Sequence, residues 1–463
     1  MRRKILIGII FTGLILRFIG LNQSFWLDEA AQVIESERVF AQQIDLASDF
    51  HPPLYHLLLH FWLKIGNGEI FSRLPEVIMG VVSIFLVYEI TRLLKFSNFS
   101  AQLTAFLLAV NPFHIYYSQE VRPYMLFSFL SLLATRFFLT GNLIALAIVV
   151  SLLVYTNYFA LFLLLAFPAA SLLSGYKKDL NKVLQSFFLA FLIFLPWLPS
   201  LMRQLEIGFG NGLPGWKSVV SVSPYKAIPL ILAKFIFGKA SIDNNFIYAL
   251  VLMPSIIAFA ASGFLAFKSK KYPVLFMLFF VPLISALTVS FFLPVLAPQR
   301  MIFLLPFFLM IIAGSADIWK KWGIFLSLAV VITSLFGLML YYLNARFQRE
   351  DWRSSVQYLK EDSYSIKSLV AFAFPEAFAP FIWYNRGILE SRGYAQDFRV
   401  GQSDIRRLSL DLSGRNTVYY YSYLDNLTDP KNWIQRKINE NGFQLKSIRD
   451  FPGVGFVYKY EKD

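Results

Sequence analysis

Asp28 and Glu29 stand side by side in FWLDEAAQ, just after the first long apolar run of the chain. Two readings fit them. Asp28 can cap a helix through AAQVIESERVF, with Glu29 in its first turn. Equally, Trp26 is suited to anchor the segment at a membrane interface, which holds both acids at the depth of a lipid headgroup. A caught helix end is rigid, so the first role does not exclude the second. Next comes SDFHPPLYHLLLHFWLKIG. Pro52 and Pro53 can start a helix but not sit inside one. The stretch after them is apolar on one face and too short to span, so it is expected to lie along the interface. His56 and His60 are spaced i, i+4. That spacing suits a metal site, and it equally suits the polar stripe of an interfacial helix. His51, fixed by the prolines, is the better functional candidate.

A third cluster is YYSQEVRPYML, with Gln119, Glu120, Arg122 and Tyr124 in a tight turn between two apolar runs. It reads either as a salt-bridged turn, Glu120 with Arg122, or as a site for a polar ligand. Arg300, Arg73 and Arg17 lie at or near the ends of apolar runs. Charges at membrane depth are costly unless they snorkel or find a partner. Snorkelling is the expectation for each alone, while several cations at one face would form a phosphate site.

These residues need a membrane scaffold to position them. The chain is 57% hydrophobic and 16% charged, outside the usual balance of a soluble domain. The apolar residues come in runs of about 20, the length that crosses a hydrocarbon core. In lipid such runs must be helices. Eleven spans are expected: 5–21, 76–94, 101–117, 123–140, 142–157, 158–174, 183–200, 246–267, 273–294, 300–319 and 323–343. With Arg2, Arg3 and Lys4 inside, alternation puts every basic cluster on that side: Arg92 with Lys95, Arg136, Lys177 with Lys178 and Lys182, Lys268 with Lys270 and Lys271, and Lys320 with Lys321. Residues 22–75, 118–122, 201–245 and 295–299 then face outward. The net charge of +14 is accounted for by these loops, so nucleic acid is not expected as a partner. There is no cysteine, which excludes disulfides and thiolate metal sites. No small-residue cleavage site follows the first apolar run, so it is expected to be an uncleaved span.

Parity also puts residues 344–463 outside. Their composition changes to polar and charged, with short apolar strands (SLVAFAF, TVYYYSYL) between helical patterns (DWRSSVQYLK, PKNWIQRKINE). That alternation predicts a small extracytoplasmic α/β domain. The division expected is residues 1–343 as the membrane domain, with a first outward loop at 22–75, and 344–463 as the soluble domain. The lack of internal repeats weakens an inverted-repeat transporter.

In order, WLDE, DFHPPLYHLL, SRLPEVIMG and YYSQEVRPY resemble the polyprenyl-phosphate-sugar glycosyltransferases of the GT-C fold, in particular glycosyltransferase family 39, the protein mannosyltransferase and aminoarabinose transferase group. RMIFLLP at Arg300 and EDWR, Glu350 to Arg353, also look similar. The likeness is dense over residues 14–125 and sparse beyond. It implies an inverting transfer of a sugar from a polyprenyl-phosphate donor to a protein, lipid or glycan acceptor at the outer face of the cytoplasmic membrane. It implies Asp28 as general base with Glu29 beside it, and Glu120 as a second acid. His51, Arg122 and Arg300 would meet the donor phosphate. Asp49, Tyr55, Arg73, Gln119 and Tyr124 would line the substrates. The aminoarabinose transferases carry Lys where His51 stands, so donor contacts differ within the group. Some relatives use a divalent metal and others do not, and the resemblance leaves that choice open. A lipid-linked sugar is already activated, which agrees with the lack of a glycine-rich nucleotide-phosphate motif. The alternative is a transporter or flippase of a lipid-linked sugar, whose mark would be charges buried in mid-span.

Overall fold

The computed structural model describes residues 2–43, 51–173, 180–209, 223–266, 269, 272–293, 295–362, 367–396 and 398–462. These fall into two compact units. The larger holds residues 2–21, 38–209 and 223–347, and the smaller holds 22–37 and 348–462. The acidic WLDE segment therefore belongs to the same compact body as the polar tail.

The larger unit is helical, and it is the part of a multi-pass membrane protein that the apolar runs demand. Among the described residues, six helices are long and apolar enough to cross a bilayer: Glu69–Leu93, Leu180–Ile207, Asn245–Phe264, Pro273–Ser290, Pro298–Trp319 and Lys321–Leu343. Four further expected spans are shorter apolar helices, Asn98–Val110, Tyr124–Thr140, Leu143–Thr156 and Ala160–Leu172. The first is the 17-residue helix Arg2–Phe18. Large apolar side chains such as Phe11, Ile78, Phe188, Phe264 and Ile332 are exposed on these helices, as surfaces facing lipid require. Pro298–Trp319 is buried almost throughout and is apolar all round, so it forms the centre of the unit. Asp317 near its end accepts the Ser97 N–H at 2.7 Å and the Ser100 hydroxyl at 2.5 Å, which caps the start of Asn98–Val110. One helix was not expected. Pro224–Phe237 lies where sequence suggested only an outward loop, with Pro224 at its first turn.

Among the described residues of the smaller unit, five strands form one sheet: β1 (Ser368–Phe372), β2 (Ser391–Gly393), β3 (Thr417–Tyr421), β4 (Gln444–Phe451) and β5 (Gly455–Glu461). The order is β2-β1-β3-β5-β4, parallel through β1 and antiparallel at β5. Every residue of β1 is buried, because helices cover both faces of the sheet. Val370, Phe372, Tyr419 and Tyr421 pack with Trp352 and Phe381 on one face. Leu369, Ala371, Val418 and Tyr420 pack with Leu408, Ile434 and Ile438 on the other. The period-2 alternation of a strand thus sorts SLVAF and TVYYY onto two cores.

Candidate functional site

The acid pair sits at the N-terminus of helix Leu27–Glu37 in the smaller unit. Asp28 is partly exposed and Glu29 is fully buried. Capping alone would leave this helix free to swing, but the unit stitches it down. The Phe25 N–H donates to the Tyr384 hydroxyl at 2.8 Å, and the Phe25 ring meets Trp383 edge-on. The Arg349 N–H donates to the Gln23 side-chain oxygen at 2.7 Å, and the Arg353 N–H to the Ser24 hydroxyl at 3.1 Å. Leu27 packs on the Trp352 core.

Glu350 is the hub of this seat. Its carboxylate accepts from the Trp352 indole at 2.7 Å, from the Tyr423 hydroxyl at 2.8 Å and from the backbone N–H of Leu27. Burial pushes its pKa above the usual glutamate range; those three donors pull it back and the negative charge of Asp28 adds to the rise. Burial and the Glu350 carboxylate likewise raise the Tyr423 hydroxyl. EDWR was visible as a motif, but nothing in the sequence linked Glu350 to Leu27.

In the larger unit the residues of the third cluster are nearly all buried, and several hold one helix end. Glu120 and Gln119 are buried, and the Arg122 N–H donates to the Glu120 carbonyl at 2.8 Å. The Gln119 amide donates to the carbonyls of Arg17 at 2.9 Å and Ile19 at 2.7 Å, and its oxygen accepts from the Tyr341 hydroxyl at 3.0 Å. Arg73 donates to the Leu21 carbonyl at 2.8 Å, and the Tyr342 hydroxyl donates to that of Leu16. The last carbonyls of a helix lack partners within it. Here side chains from three other segments supply them. The Arg122 guanidinium lies over the Tyr124 ring, which in turn meets Tyr117 edge-on.

The snorkelling expected for Arg17 and Arg73 does not occur, because both are fully buried. Arg17 donates from Nε to Ser118 at 3.1 Å, from Nη1 to the carbonyls of Gly13 at 2.8 Å and Ala109 at 3.2 Å, and from Nη2 to Leu108 at 3.4 Å and to His114 Nδ1 at 2.7 Å. All five N–H donors of the guanidinium are therefore met. Because His114 Nδ1 accepts, this imidazole is neutral with its proton on Nε2. Gly80 makes room for the cluster: a Cβ there would lie 2.3 Å from the Ser118 hydroxyl. His114 was missed in the sequence, although a histidine inside an apolar run is a signal in itself.

The remaining candidates are dispersed among other contacts. His51 is half-buried, and its carbonyl accepts from Gln204 at 3.4 Å. Tyr55 donates to Glu76 Oε1 at 2.5 Å, an acid in SRLPEV that sequence reading passed over. Both are buried. Arg300 donates to the Val295 carbonyl at 3.0 Å and covers the Phe159 ring. Asp49 lies outside the described residues. The helix Leu54–Leu63 buries His56 and His60 and exposes Leu58 and Phe61, so its histidine stripe faces protein and its apolar side faces out. Among the described residues no three His, Asp or Glu side chains gather as a metal site would require.

Residues 50–202 match the family described as dolichyl-phosphate-mannose-protein mannosyltransferase. The match takes in His51, Tyr55, Arg73 and the Gln119–Tyr124 turn, and stops short of Asp28 and Arg300. A search of curated protein sequences finds no match. Among solved structures, ArnT from Cupriavidus metallidurans in the apo state is similar at a TM-score of 0.62 and 11% identity, over 98% of this chain and 97% of that one. The oligosaccharyltransferase of Archaeoglobus fulgidus, tethered with an acceptor peptide, is similar at a TM-score of 0.58 and 13% identity, over 99% of this chain and 74% of that one. The chain carries the GT-C fold, and its residues 50–202 resemble the mannosyltransferase family within it.

Proposed function

We propose that this chain is an inverting glycosyltransferase that moves a sugar, a hexose or pentose, from a polyprenyl phosphate to a protein, lipid or glycan acceptor. The observation that carries the reading is a fold similar to that of ArnT over nearly the full length of both chains, in a chain whose residues 50–202 match a lipid-phosphate-sugar transferase family. ArnT has been solved bound to undecaprenyl phosphate, and the archaeal AglB with a dolichol-phosphate. The donor proposed here is of that chemical class. The reaction is placed at the outer face of the cytoplasmic membrane, on the strength of the charge parity of the loops.

In this reading the acceptor hydroxyl attacks the anomeric carbon and the lipid phosphate leaves, inverting the centre in one displacement. Asp28 takes the hydroxyl proton, with the buried Glu29 beside it. Glu120, in the larger unit, is the second acid of the reaction. His51, Arg122 and Arg300 are its candidates for the phosphate, whose growing charge fixed cations stabilise. The A. fulgidus oligosaccharyltransferase has been solved with zinc and sulfate. None of the roles above depends on a divalent ion.

The buried Arg17 and His114 are the kind of feature that favours a carrier. Every donor of Arg17 is committed to the protein, however, which suits a structural lock better than a moving charge. Proteoliposomes supplied with radiolabelled sugars on undecaprenyl or dolichyl phosphate separate the two readings. Transfer predicts a new glycosidic bond and free polyprenyl phosphate. Sugar crossing the bilayer with neither product would establish the carrier instead.

A further inference from the structure

On the face of the smaller unit covered by helices Gln402–Asp411 and Trp433–Glu440, a groove of about 430 Å³ opens between them. That volume falls within the range of about 300–1,000 Å³ usual for small-ligand sites. Its lining includes Gln402, Arg406, Trp433, Arg436, Lys437 and Glu440. Elsewhere in the unit, three cations are held by carboxylates. Arg392 bridges Asp411 and Glu390, Arg415 bridges Glu390, and Lys459 bridges Asp362 and Glu461. In the groove, Arg406 and Arg436 are exposed, and among the described residues neither guanidinium makes an ion pair or a hydrogen bond. Lys437 meets Glu440 at 3.1 Å. Trp433 is half-buried beside them, with Lys431 over its ring.

We propose that this groove binds an anionic saccharide, one bearing a carboxylate or a phosphate among free hydroxyls. Two exposed guanidiniums at one groove, neither hydrogen-bonded among the described residues, match a carboxylate or phosphate by paired N–H donation. Trp433 offers an apolar ring beside them, the surface on which the C–H face of a sugar can rest. Gln402 and Glu440 supply acceptors for hydroxyl protons. A carboxylate among the cations disfavours a polyanion without hydroxyls, so charge interspersed with hydroxyls fits best. The groove's chemistry is independent of the transfer reaction and does not rest on it.

The test is binding of tetragalacturonic acid to the full chain in nanodiscs of zwitterionic lipid, by isothermal titration calorimetry. Neutral galactotetraose, inorganic phosphate and phosphatidylglycerol vesicles serve as comparison probes. The acidic saccharide should bind more tightly than either small probe. Arg406→Gln with Arg436→Gln should weaken it by roughly tenfold or more. Trp433→Leu should weaken it by roughly fivefold. Both arginines are exposed, and Arg436 acts on the Asp429 carboxyl only from beyond ion-pair distance, so the double variant should melt close to the wild type. Equal affinity in both variants would overturn the proposal. So would equal affinity for phosphate and saccharide, or vesicle binding that alone depends on the two arginines, which would make the face a headgroup surface.

Discussion

Glu350 accepts the backbone N–H of Leu27, so the EDWR segment caps the helix that carries Asp28 and Glu29. The same carboxylate holds Trp352 and Tyr423. Replacing it with alanine leaves three donors without their acceptor, one on the buried Trp352 and two on the half-buried Leu27 and Tyr423, at about 1–3 kcal/mol for each one shut off from water. Glu350→Ala is expected to lower the melting temperature of the purified chain and to reduce transfer together with it. An unchanged melt would show that the hub holds nothing.

Glu350 also gives a pH signature. Its folded pKa is raised above the ordinary value of 4.5, so the folded chain binds more protons than the unfolded chain in the window between the two. The stability contributed by this group is therefore full below about 4.5 and falls as pH climbs to the raised value. Glu350→Gln should remove that slope. Melting temperatures from pH 4 to 7 for both proteins check it, and parallel curves would contradict it.

Arg17 and His114 should act as one unit. Arg17→Leu leaves a buried imidazole and several carbonyls unmet, and His114→Leu leaves one guanidinium N–H unmet. A double-mutant cycle on detergent-solubilised protein should show a coupling of about 1 kcal/mol or more. Gly80→Ala should also destabilise by about 1–3 kcal/mol, since the added methyl meets the Ser118 hydroxyl. Additive single effects and a silent Gly80→Ala would sink the lock.

Deleting residues 348–463 removes Tyr384, Trp383 and Glu350, the groups that hold Phe25 and Leu27. Limited proteolysis of the truncated chain should cut within 22–37, and transfer should be lost. Full activity in that truncation would make the tail accessory.

Much of the architecture was legible because lipid and sheet burial impose periodic demands on sequence. SLVAF and TVYYY could be read as strands because continuous apolar runs mark strands covered on both faces. Pro224–Phe237 was hidden by its two prolines and two lysines, which break the apolar run. The fate of Arg17 was not legible, because its partners on Leu108, Ala109, His114 and Ser118 lie far along the chain. Gln119 reads in sequence as a ligand residue and in the structure as part of a helix cap, because only the folded chain brings the carbonyls of Arg17 and Ile19 to it. Asp28 and Glu29 were legible as a motif, while their seat on the tail was not.

The central claim is that Asp28 accepts the proton of the acceptor hydroxyl. The direct measurement is single-turnover transfer from a radiolabelled polyprenyl-phosphate sugar by wild-type protein and by Asp28→Asn, with donor binding and melting temperature measured in parallel. The account predicts a rate lower by about 10²–10⁴ in the variant, with donor affinity and melting unchanged. A variant that transfers at the wild-type rate would contradict it.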